Sequence, residues 1–333
     1  MTMPPLAAIV GLPGPVLDDV TASLLRNRPP AGVILFARNV SDPAQLRRLT
    51  HDLRAVLPAQ AVLMVDQEGG RVARLRPPHW RAHPSAGRIG ALWASDPPAA
   101  IRAAWLTGAL IGLEAAAMGF DVVCAPVLDL RIEGASDVVG DRGYAADPAV
   151  VARLGGAMAE GLLAAGVQPV MKHLPGHGRA LVDSHLALPE VEFLKEADIA
   201  PFRALAALSW AITAHVRYRD RDALHPATLS ARIIEDVIRG EIGFGGLLCS
   251  DDLAMGALEG DPASRALACL AAGCDIALYC PGDAAGTAAV LQACPPLTEA
   301  AQARIAAAAI LARERAIAVD AAALSAERDD LLS

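Results

Sequence analysis

The chain has 333 residues, of which 54% are hydrophobic, and it carries a formal net charge of −8 at pH 7. This length accommodates one large domain or two ordinary ones, with ample apolar material for a core. The acidic balance and the lack of a basic stripe argue against a nucleic-acid partner. Six scattered cysteines without a C-x-x-C pair are typical of reduced, buried thiols. With no basic segment at the N-terminus, they predict a cytoplasmic protein.

Short apolar runs alternate with longer helical stretches along the chain, which is the pattern of βαβ units and a parallel sheet. Eight strands are predicted, at Ala7–Gly11, Gly32–Phe36, Ala61–Asp66, Asp121–Pro126, Val167–His173, Trp210–Val216, Gly246–Asp251 and Cys274–Tyr279. Helix start and stop signals predict helices at Asp42–Val56, Asp147–Gly166 and Ser230–Gly243. Eight strands with helices between them predict a single-domain α/β protein built as a (β/α)8 TIM-type barrel.

Two stretches outside the strands complete the predicted organisation. The apolar stretch Ala103–Phe120 carries Glu114 and has strand signals on either side, so it is predicted to be a buried helix rather than a membrane span. An alanine-rich outer helix is predicted beyond Thr298. We assign residues 1–320 to the barrel and residues 321–333 to a charged C-terminal tail with a frayed end.

A TIM-type barrel carries its catalytic groups just after the carboxyl ends of its strands. The unusual polar residues of this sequence fall at those positions. They are Asp66 to Arg71 after the third predicted strand, Asp129 and Gly140 to Arg142 after the fourth, a histidine-rich loop after the fifth, His215 at the end of the sixth, and Ser250 to Asp252 at the end of the seventh. Their coincidence on one rim predicts an active site there.

The histidine-rich loop runs from Lys172 to Gly178 and continues to Asp183, Ser184 and His185. Its glycines and proline exclude regular structure and bring backbone close to a ligand. An aspartate that contacts the His185 imidazole would fix its tautomer and make an acid/base catalyst near neutral pH. Alternatively, Asp183 caps a helix beside an incidental histidine. Lys172 either donates hydrogen bonds to substrate hydroxyls or forms a salt bridge.

Two other groups of residues admit more than one interpretation. Because a strand alternates its faces, one of Asp251 and Asp252 is expected to point into the barrel mouth and the other to bind backbone, although both could cap the next helix. A zinc site on His173, His177 and His185 would need a helix for its spacing, which the glycines and the proline oppose, so no metal is predicted. The glycine turn after the third strand has no phosphate-binding motif, so no nucleotide cofactor is expected.

Seven segments together resemble the single-domain β-N-acetylhexosaminidases of glycoside hydrolase family 3, which act in bacterial peptidoglycan recycling. They are GVILFARN (32–39), VDQEGGRVARL (65–75), APVLDL (125–130), GDRGYAADP (140–148), KHLPGHG with DSH (172–185), TAHV (213–216) and SDDLAM (250–255). The segments occur in the family's order and span most of the predicted barrel. The resemblance implies hydrolysis of terminal β-linked N-acetylglucosamine from peptidoglycan fragments, namely GlcNAc-1,6-anhydroMurNAc and its peptides.

The resemblance also implies the roles of individual residues. It makes Asp251 the nucleophile of a retaining mechanism that passes through a covalent glycosyl-enzyme, with His185 as acid/base and Asp183 as the partner of His185. The residues that it implies in holding the N-acetylglucosamine ring are Asp66, Arg74, Arg142, Lys172 and His173. It implies no cofactor.

Two other functions stay open at this point. A family 3 β-glucosidase is disfavoured, because those enzymes usually carry a second domain that supplies the acid/base. A catalytically silent barrel that senses amino sugars is disfavoured by the intact Asp251 and His185. The sequence departs from the family pattern at Arg179 to Val182 and at Gly256, neither of which carries an implied role. We expect a monomer.

Overall fold

The computed structural model describes residues 4–333, and its centre is a parallel sheet of eight strands. The strands are β1 (Leu6–Gly11), β2 (Pro30–Leu35), β3 (Val62–Val65), β4 (Val122–Val123), β5 (Gln168–Leu174), β7 (Trp210–Thr213), β9 (Leu247–Cys249) and β10 (Ala277–Tyr279), while β6 (Glu190–Val191) and β8 (Arg217–Tyr218) form a separate pair. Neighbours pair in the order β10-β1-β2-β3-β4-β5-β7-β9. A parallel bridge between Cys249 and Ile276 brings β9 beside β10. The predicted (β/α)8 barrel is therefore confirmed.

Helices surround the barrel and connect its strands. They are α1 (Asp19–Asn27), α2 (Pro43–Val56), α3 (Ala86–Leu92), α4 (Pro97–Ala117), α5 (Pro148–Ala164), α6 (Glu196–Ala204), α7 (Pro262–Ala272), α8 (Ala284–Ala293), α9 (Glu299–Arg315) and α10 (Ala321–Leu331), with a π-helix at Ile233–Glu241. The Asp-Pro start signals are confirmed, because the carboxylates of Asp42 and Asp147 accept backbone N–H groups in the first turns of α2 and α5.

Most elements differ in extent from their prediction, among them β4 and the helix predicted at Ser230–Gly243. Strand β4 has two residues in place of the predicted Asp121–Pro126. It ends early because the N–H of Ala125 donates to the carbonyl of Val123 at 2.8 Å and Pro126 has no N–H to donate to a neighbouring strand. The helix predicted at Ser230–Gly243 has its regular part at Ile233–Glu241. The Ser230 hydroxyl accepts the N–H of Ile233 at 3.1 Å, so this serine still caps the start of the helix.

Buried side chains form two main layers because successive residues of a strand point to opposite faces of the sheet. In β1, Ala7 and Ile9 belong to the cluster inside the barrel, whereas Ala8 and Val10 belong to the cluster between sheet and helices. The interior cluster also contains Leu278, which lines the cavity described below. The barrel is thus a packed core whose free space lies at its mouth.

Helix α4 is long and apolar enough to cross a membrane by length and composition, but 67% of its most apolar window is buried inside the protein. It packs against α5 so closely that a Cβ added at Gly161 would lie 2.1 Å from the carbonyl oxygen of Trp105. The carboxylate of Glu114 accepts hydrogen bonds from Arg81 and His83. The predicted buried helix is confirmed, although it begins at Pro97.

The C-terminal residues form an ordered helix, and the prediction of a frayed end is wrong. Helix α10 begins after Asp320, whose carboxylate accepts backbone N–H groups in its first turn. Leu324 packs with Leu106 of α4, and the buried guanidinium of Arg328 donates to Nδ1 of His83 at 3.0 Å. These contacts with distant parts of the chain stabilise a helix whose composition alone is that of a charged tail.

Candidate active site

A cavity of about 130 Å³ opens at the carboxyl ends of the barrel strands. Its polar lining comes from several strand ends and comprises Asp66, Arg74, Arg142, Lys172, His173, His177, Ser184, His185, Asp251 and Asp252. Its apolar lining includes Phe36 and Met255, and the Arg74 guanidinium lies 5.3 Å from the centre of the Phe36 ring. The polar residues predicted to gather on one rim therefore share one cavity.

A buried ion cluster occupies one side of this cavity. The Nζ atom of Lys172 donates to Oδ1 of Asp66 at 2.7 Å and lies 2.5 Å from Oε1 of Glu68. Arg74 donates to Oδ2 of Asp66 at 2.6 Å. Arg142 donates to both carboxylate oxygens of Glu68, each at 2.8 Å. Three cations thus hold two carboxylates through charge-assisted hydrogen bonds.

Mutual attraction keeps the members of the ion cluster charged despite their burial. Burial by itself would raise the pKa of Asp66 and of Glu68, but the surrounding cations outweigh it and hold both pKa values below the usual range. For Lys172, burial would lower the pKa, but the two carboxylates raise it above the usual range. The cluster therefore presents fixed, ionised donors and acceptors, which suit the hydroxyl groups of a sugar.

Two histidines next to this cluster are oriented by the buried Asp129. Its Oδ2 lies 2.6 Å from Nδ1 of His173, and its Oδ1 accepts the backbone N–H of His177 at 2.6 Å. On the other side of the His173 ring, Nε2 lies 3.5 Å from a nitrogen of Arg142. Burial lowers the pKa of His177 to about 4, so this ring is neutral at pH 7 while its Nε2 contacts the Ser184 hydroxyl at 3.1 Å.

Asp183 and His185 form the contact that the sequence predicts. Oδ1 of Asp183 lies 2.7 Å from Nδ1 of His185 and accepts the backbone N–H of His185 at 2.9 Å. Burial would raise the pKa of Asp183, but these two contacts lower it, so the carboxylate is ionised at neutral pH. The His185 side chain is 63% exposed. Because Nδ1 faces Asp183, Nε2 is the nitrogen that can exchange a proton with a ligand.

Asp251 and Asp252 have different environments, as the alternation of a strand predicts. Oδ1 of Asp252 accepts the backbone N–H groups of Ala254 and Cys280, each at 3.0 Å. Asp251 accepts only the N–H of Asp252, at 2.8 Å. Burial would raise the pKa of Asp251, but the nearby His173, His215 and backbone N–H lower it. Burial does raise the pKa of Asp252. Oδ1 of Asp252 thus holds the backbone of the turn, whereas Asp251 accepts a single N–H and its lowered pKa keeps it ionised at neutral pH.

Every residue expected to hold the sugar ring lines the cavity, together with Asp251 and His185. Asp183 contacts the cavity only through His185 and lines a neighbouring cleft instead. Sequence reasoning assigned no role to Glu68, to Asp129 or to His215, although all three lie on the predicted rim. The role of Glu68 could have been predicted from its position two residues after Asp66, because one lysine can reach both carboxylates at that spacing.

Two thiols also line the cavity, Cys124 and Cys280. Burial raises the pKa of each thiol above its usual range, so both are protonated at neutral pH. Within residues 4–333, no group of three or more His, Cys, Asp and Glu side chains is arranged to hold a metal ion. The sequence-based expectation of a site without metal or cofactor stays a prediction.

Comparisons with known proteins agree with this geometry. The model of the glycosyl hydrolase family 3 N-terminal domain matches residues 10–312. A beta-hexosaminidase of Bordetella avium is 41% identical over 285 residues, which cover 80% of this chain and 81% of the relative. A beta-hexosaminidase of Pseudomonas aeruginosa is 44% identical over 264 residues, which cover 77% of each chain.

Solved structures extend the comparison to the whole fold. Native NagZ from Neisseria gonorrhoeae is 31% identical, with a TM-score of 0.88 and 99% of each chain covered. The same NagZ in complex with N-trifluoroacetyl-D-glucosamine gives 30% identity and a TM-score of 0.87 over the same coverage. The barrel, the cavity at its mouth and these relatives lead to one conclusion. The chain belongs to glycoside hydrolase family 3, as a β-N-acetylhexosaminidase.

Proposed function

We propose that this hydrolase is an exo-acting, retaining β-N-acetylglucosaminidase that acts on peptidoglycan fragments, namely GlcNAc-1,6-anhydroMurNAc and its peptides. The observation that carries the proposal is that Asp251 and His185 line one cavity from different strand ends, while Asp183 holds Nδ1 of His185. Retention requires a nucleophile on one face of the sugar and an acid/base group on the leaving-group side. The peptidoglycan substrate is supported by the resemblance of the seven sequence segments.

In the first step, Asp251 attacks the anomeric carbon. Because Oδ1 accepts the Asp252 N–H, Oδ2 is the oxygen that attacks. The new bond between Oδ2 and the anomeric carbon forms while the glycosidic bond breaks. The departing oxygen takes a proton from Nε2 of His185, and such protonation contributes roughly 10²–10⁴-fold in rate. The products are a covalent glycosyl-enzyme and the free leaving group.

In the second step, water hydrolyses the glycosyl-enzyme. The neutral His185 takes a proton from the water, whose oxygen attacks the anomeric carbon. The bond to Asp251 breaks as the new bond forms, and the carboxylate and the protonated imidazole are restored. The ionised Asp183 stabilises the positive charge that returns to the His185 ring. Two inversions at one carbon give a product with the configuration of the substrate.

The ion cluster supplies the groups that would hold the terminal sugar. Asp66 can accept hydrogen bonds from sugar hydroxyls, while Arg74 and Lys172 can donate to them. Arg142 and His173 line the other part of the cavity. Binding of an N-acylated glucosamine is supported by the related NagZ from Neisseria gonorrhoeae, whose structure contains N-trifluoroacetyl-D-glucosamine.

The leaving group would occupy the cleft beside the acid/base residue. This cleft has a volume of about 320 Å³ and is lined by Asp183, His185, Arg71, Ser136 and Asp137 among others.

We also propose that the protein acts as a monomer in the cytoplasm. The cytoplasmic location is in keeping with its six buried free cysteines.

A 5-fluoro-N-acetylglucosaminyl fluoride tests the mechanism directly. We expect it to label the enzyme covalently, with the label on the peptide that contains Asp251 when the digest is mapped by mass spectrometry. Proton NMR of the hydrolysis of GlcNAc-1,6-anhydroMurNAc should show β-N-acetylglucosamine as the first product. An α-anomer formed first would overturn the retaining mechanism.

The same measurements separate the alternative functions. Release of p-nitrophenol should be much faster from the β-N-acetylglucosaminide than from the β-glucoside. The opposite preference would support a β-glucosidase. No release from either compound, combined with binding of N-acetylglucosamine, would support a sensor. Turnover of chitobiose without turnover of the anhydromuramyl disaccharide would contradict the peptidoglycan substrate.

A further inference from the structure

The loop that carries the acid/base residue is attached to the segment that follows the nucleophile. The acid/base loop, residues 181–188, accepts two backbone hydrogen bonds from the docking segment, residues 253–258. The N–H of Gly256 donates to the carbonyl of His185 at 3.3 Å, and the N–H of Ala257 donates to the preceding carbonyl of the loop at 3.1 Å. The position of His185 therefore depends on how closely these two segments approach.

A side chain at position 256 would prevent this approach. A Cβ added to Gly256 would lie 2.8 Å from the carbonyl oxygen of His185 and 2.9 Å from that of Leu186. Both neighbours are backbone atoms, which cannot rotate away as a flexible side chain can. Gly256 is not among the glycines with positive φ. An alanine thus fits the backbone conformation of the docking segment, and only the contact with the loop excludes it.

The acid/base loop, rather than the docking segment, would yield to such a substitution. Arg265 donates to the carbonyls of Leu253 at 2.6 Å and Leu258 at 2.5 Å, which fixes both ends of the docking segment. The N–H of Leu253 is also bonded to β10, at 2.9 Å. In the loop, Ser184 is buried and contacts His177, but the His185 side chain is 63% exposed and Leu186 is 79% exposed. Little packing therefore opposes an outward shift of the loop beyond Ser184.

From these contacts we infer that Gly256 is a positioning residue for catalysis, because its missing side chain lets the loop place His185 over the cavity that Asp251 lines. The inference rests on the proposed role of His185 as the acid/base. Displacement of a reacting group by about 1 Å can cost on the order of 10²-fold in rate. Gly256→Ala should therefore weaken proton transfer to the leaving group and spare the attack by Asp251.

A series of aryl β-N-acetylglucosaminides with phenols of decreasing acidity measures this effect. For Gly256→Ala, we expect kcat/KM to fall about tenfold or more, up to on the order of 10²-fold, for the least acidic phenols and for chitobiose. It should change by less than about twofold for 2,4-dinitrophenol, which needs no protonation to leave. Gly245→Ala is the matched control, since a Cβ there meets nothing within 4 Å. That control should match the wild type throughout the series.

Labelling by the 5-fluoro glycosyl fluoride checks that the nucleophile is intact in Gly256→Ala. We expect a labelling rate like that of the wild type, together with an unchanged Tm. An equal loss of kcat/KM for all phenols, a loss of labelling, or no loss for any substrate would overturn the inference. The His185→Ala variant separates this inference from the proposed function. If the loss of kcat/KM in His185→Ala does not depend on the acidity of the phenol, the proposed acid/base role fails. If the loss depends on that acidity in His185→Ala but not in Gly256→Ala, the positioning role of Gly256 fails.

Discussion

The backbone N–H of Asp252 donates to Oδ1 of Asp251 at 2.8 Å, and these two adjacent aspartates differ in their other contacts. The side chain of Asp252 accepts two backbone N–H groups of its own and thereby fixes the turn after β9. Asp251, at the start of that turn, lines the cavity. Because their contacts differ, replacing Asp251 and replacing Asp252 should have different effects on activity.

Replacement of Asp251 should abolish turnover, whereas replacement of Asp252 should weaken it mildly. We expect kcat of Asp251→Ala to fall by at least about 10⁴-fold, because the covalent step is lost. Asp252→Asn keeps an Oδ1 acceptor for both N–H groups, and a weakened hydrogen bond costs about 1 kcal/mol. Steady-state kinetics with the p-nitrophenyl glycoside measure both variants. Similar kcat values for the two variants would contradict the assignment of Asp251 as nucleophile.

The loss of activity on replacing His185 or Asp183, the proposed acid/base pair, should depend on the leaving group. His185→Ala should reduce kcat/KM for the natural disaccharide by roughly 10²–10⁴-fold and far less for activated aryl glycosides. Asp183→Asn should show the same trend with a smaller amplitude, since it keeps the contact with Nδ1 but loses the charge that supports the imidazolium. Rates with the two kinds of substrate are compared for each variant. Comparable losses on both would count against His185 as the acid.

The ion cluster makes Lys172 important for stability as well as for binding. Lys172→Met leaves the buried carboxylates of Asp66 and Glu68 without their shared cation. Removing one partner of a buried ion pair costs about 3–5 kcal/mol, and we expect a decrease of that order in the free energy of unfolding in urea. Arg102→Ala removes an ion pair on the surface and serves as the control, with little expected change. Equal stability of the two variants would show that Lys172 contributes nothing to the stability of the protein.

Acid should destabilise the protein through the same carboxylates. The folded-state pKa values of Asp66 and Glu68 lie below their unfolded values of about 3.9 and 4.3, so the unfolded chain binds protons first as pH falls. Their contribution is complete above about pH 5 and is lost progressively as pH falls toward their folded pKa values. Urea unfolding at pH 7 and pH 3 measures the loss. Asp66→Asn should reduce the difference between the two pH values, and an unchanged difference would refute the link.

The strand ends explain why much of the site could be predicted from sequence. Asp66, Lys172 and Asp251 each follow or end an apolar run, and in a closed parallel barrel all such positions meet at one mouth. The pairing of Asp183 with His185 is local, since two residues in one loop are close whatever the rest of the chain does. The motifs of the family then supplied the expected roles.

Contacts between distant segments could not be predicted in this way. The partners of Glu68 are Arg142 and Lys172, which lie far from it along the chain. The residues next to Glu68 in the sequence therefore do not indicate these contacts. The same holds for α10, which is ordered by packing on α4. Gly256 stood out only as a departure from the family pattern, because a close backbone approach leaves no pattern in composition or periodicity.

Two thiols share the cavity with Asp251, the proposed nucleophile, and they affect how the site responds to electrophiles. Cys124 and Cys280 remain protonated because burial raises the pKa of both, while Asp251 in the same cavity is ionised. A thiol without its thiolate is a weak nucleophile. An amino sugar bearing a reactive group will therefore be captured as an ester on the carboxylate rather than as a thioether. Hydroxylamine will release inhibitors of this kind from the protein, whereas reductants will leave them attached.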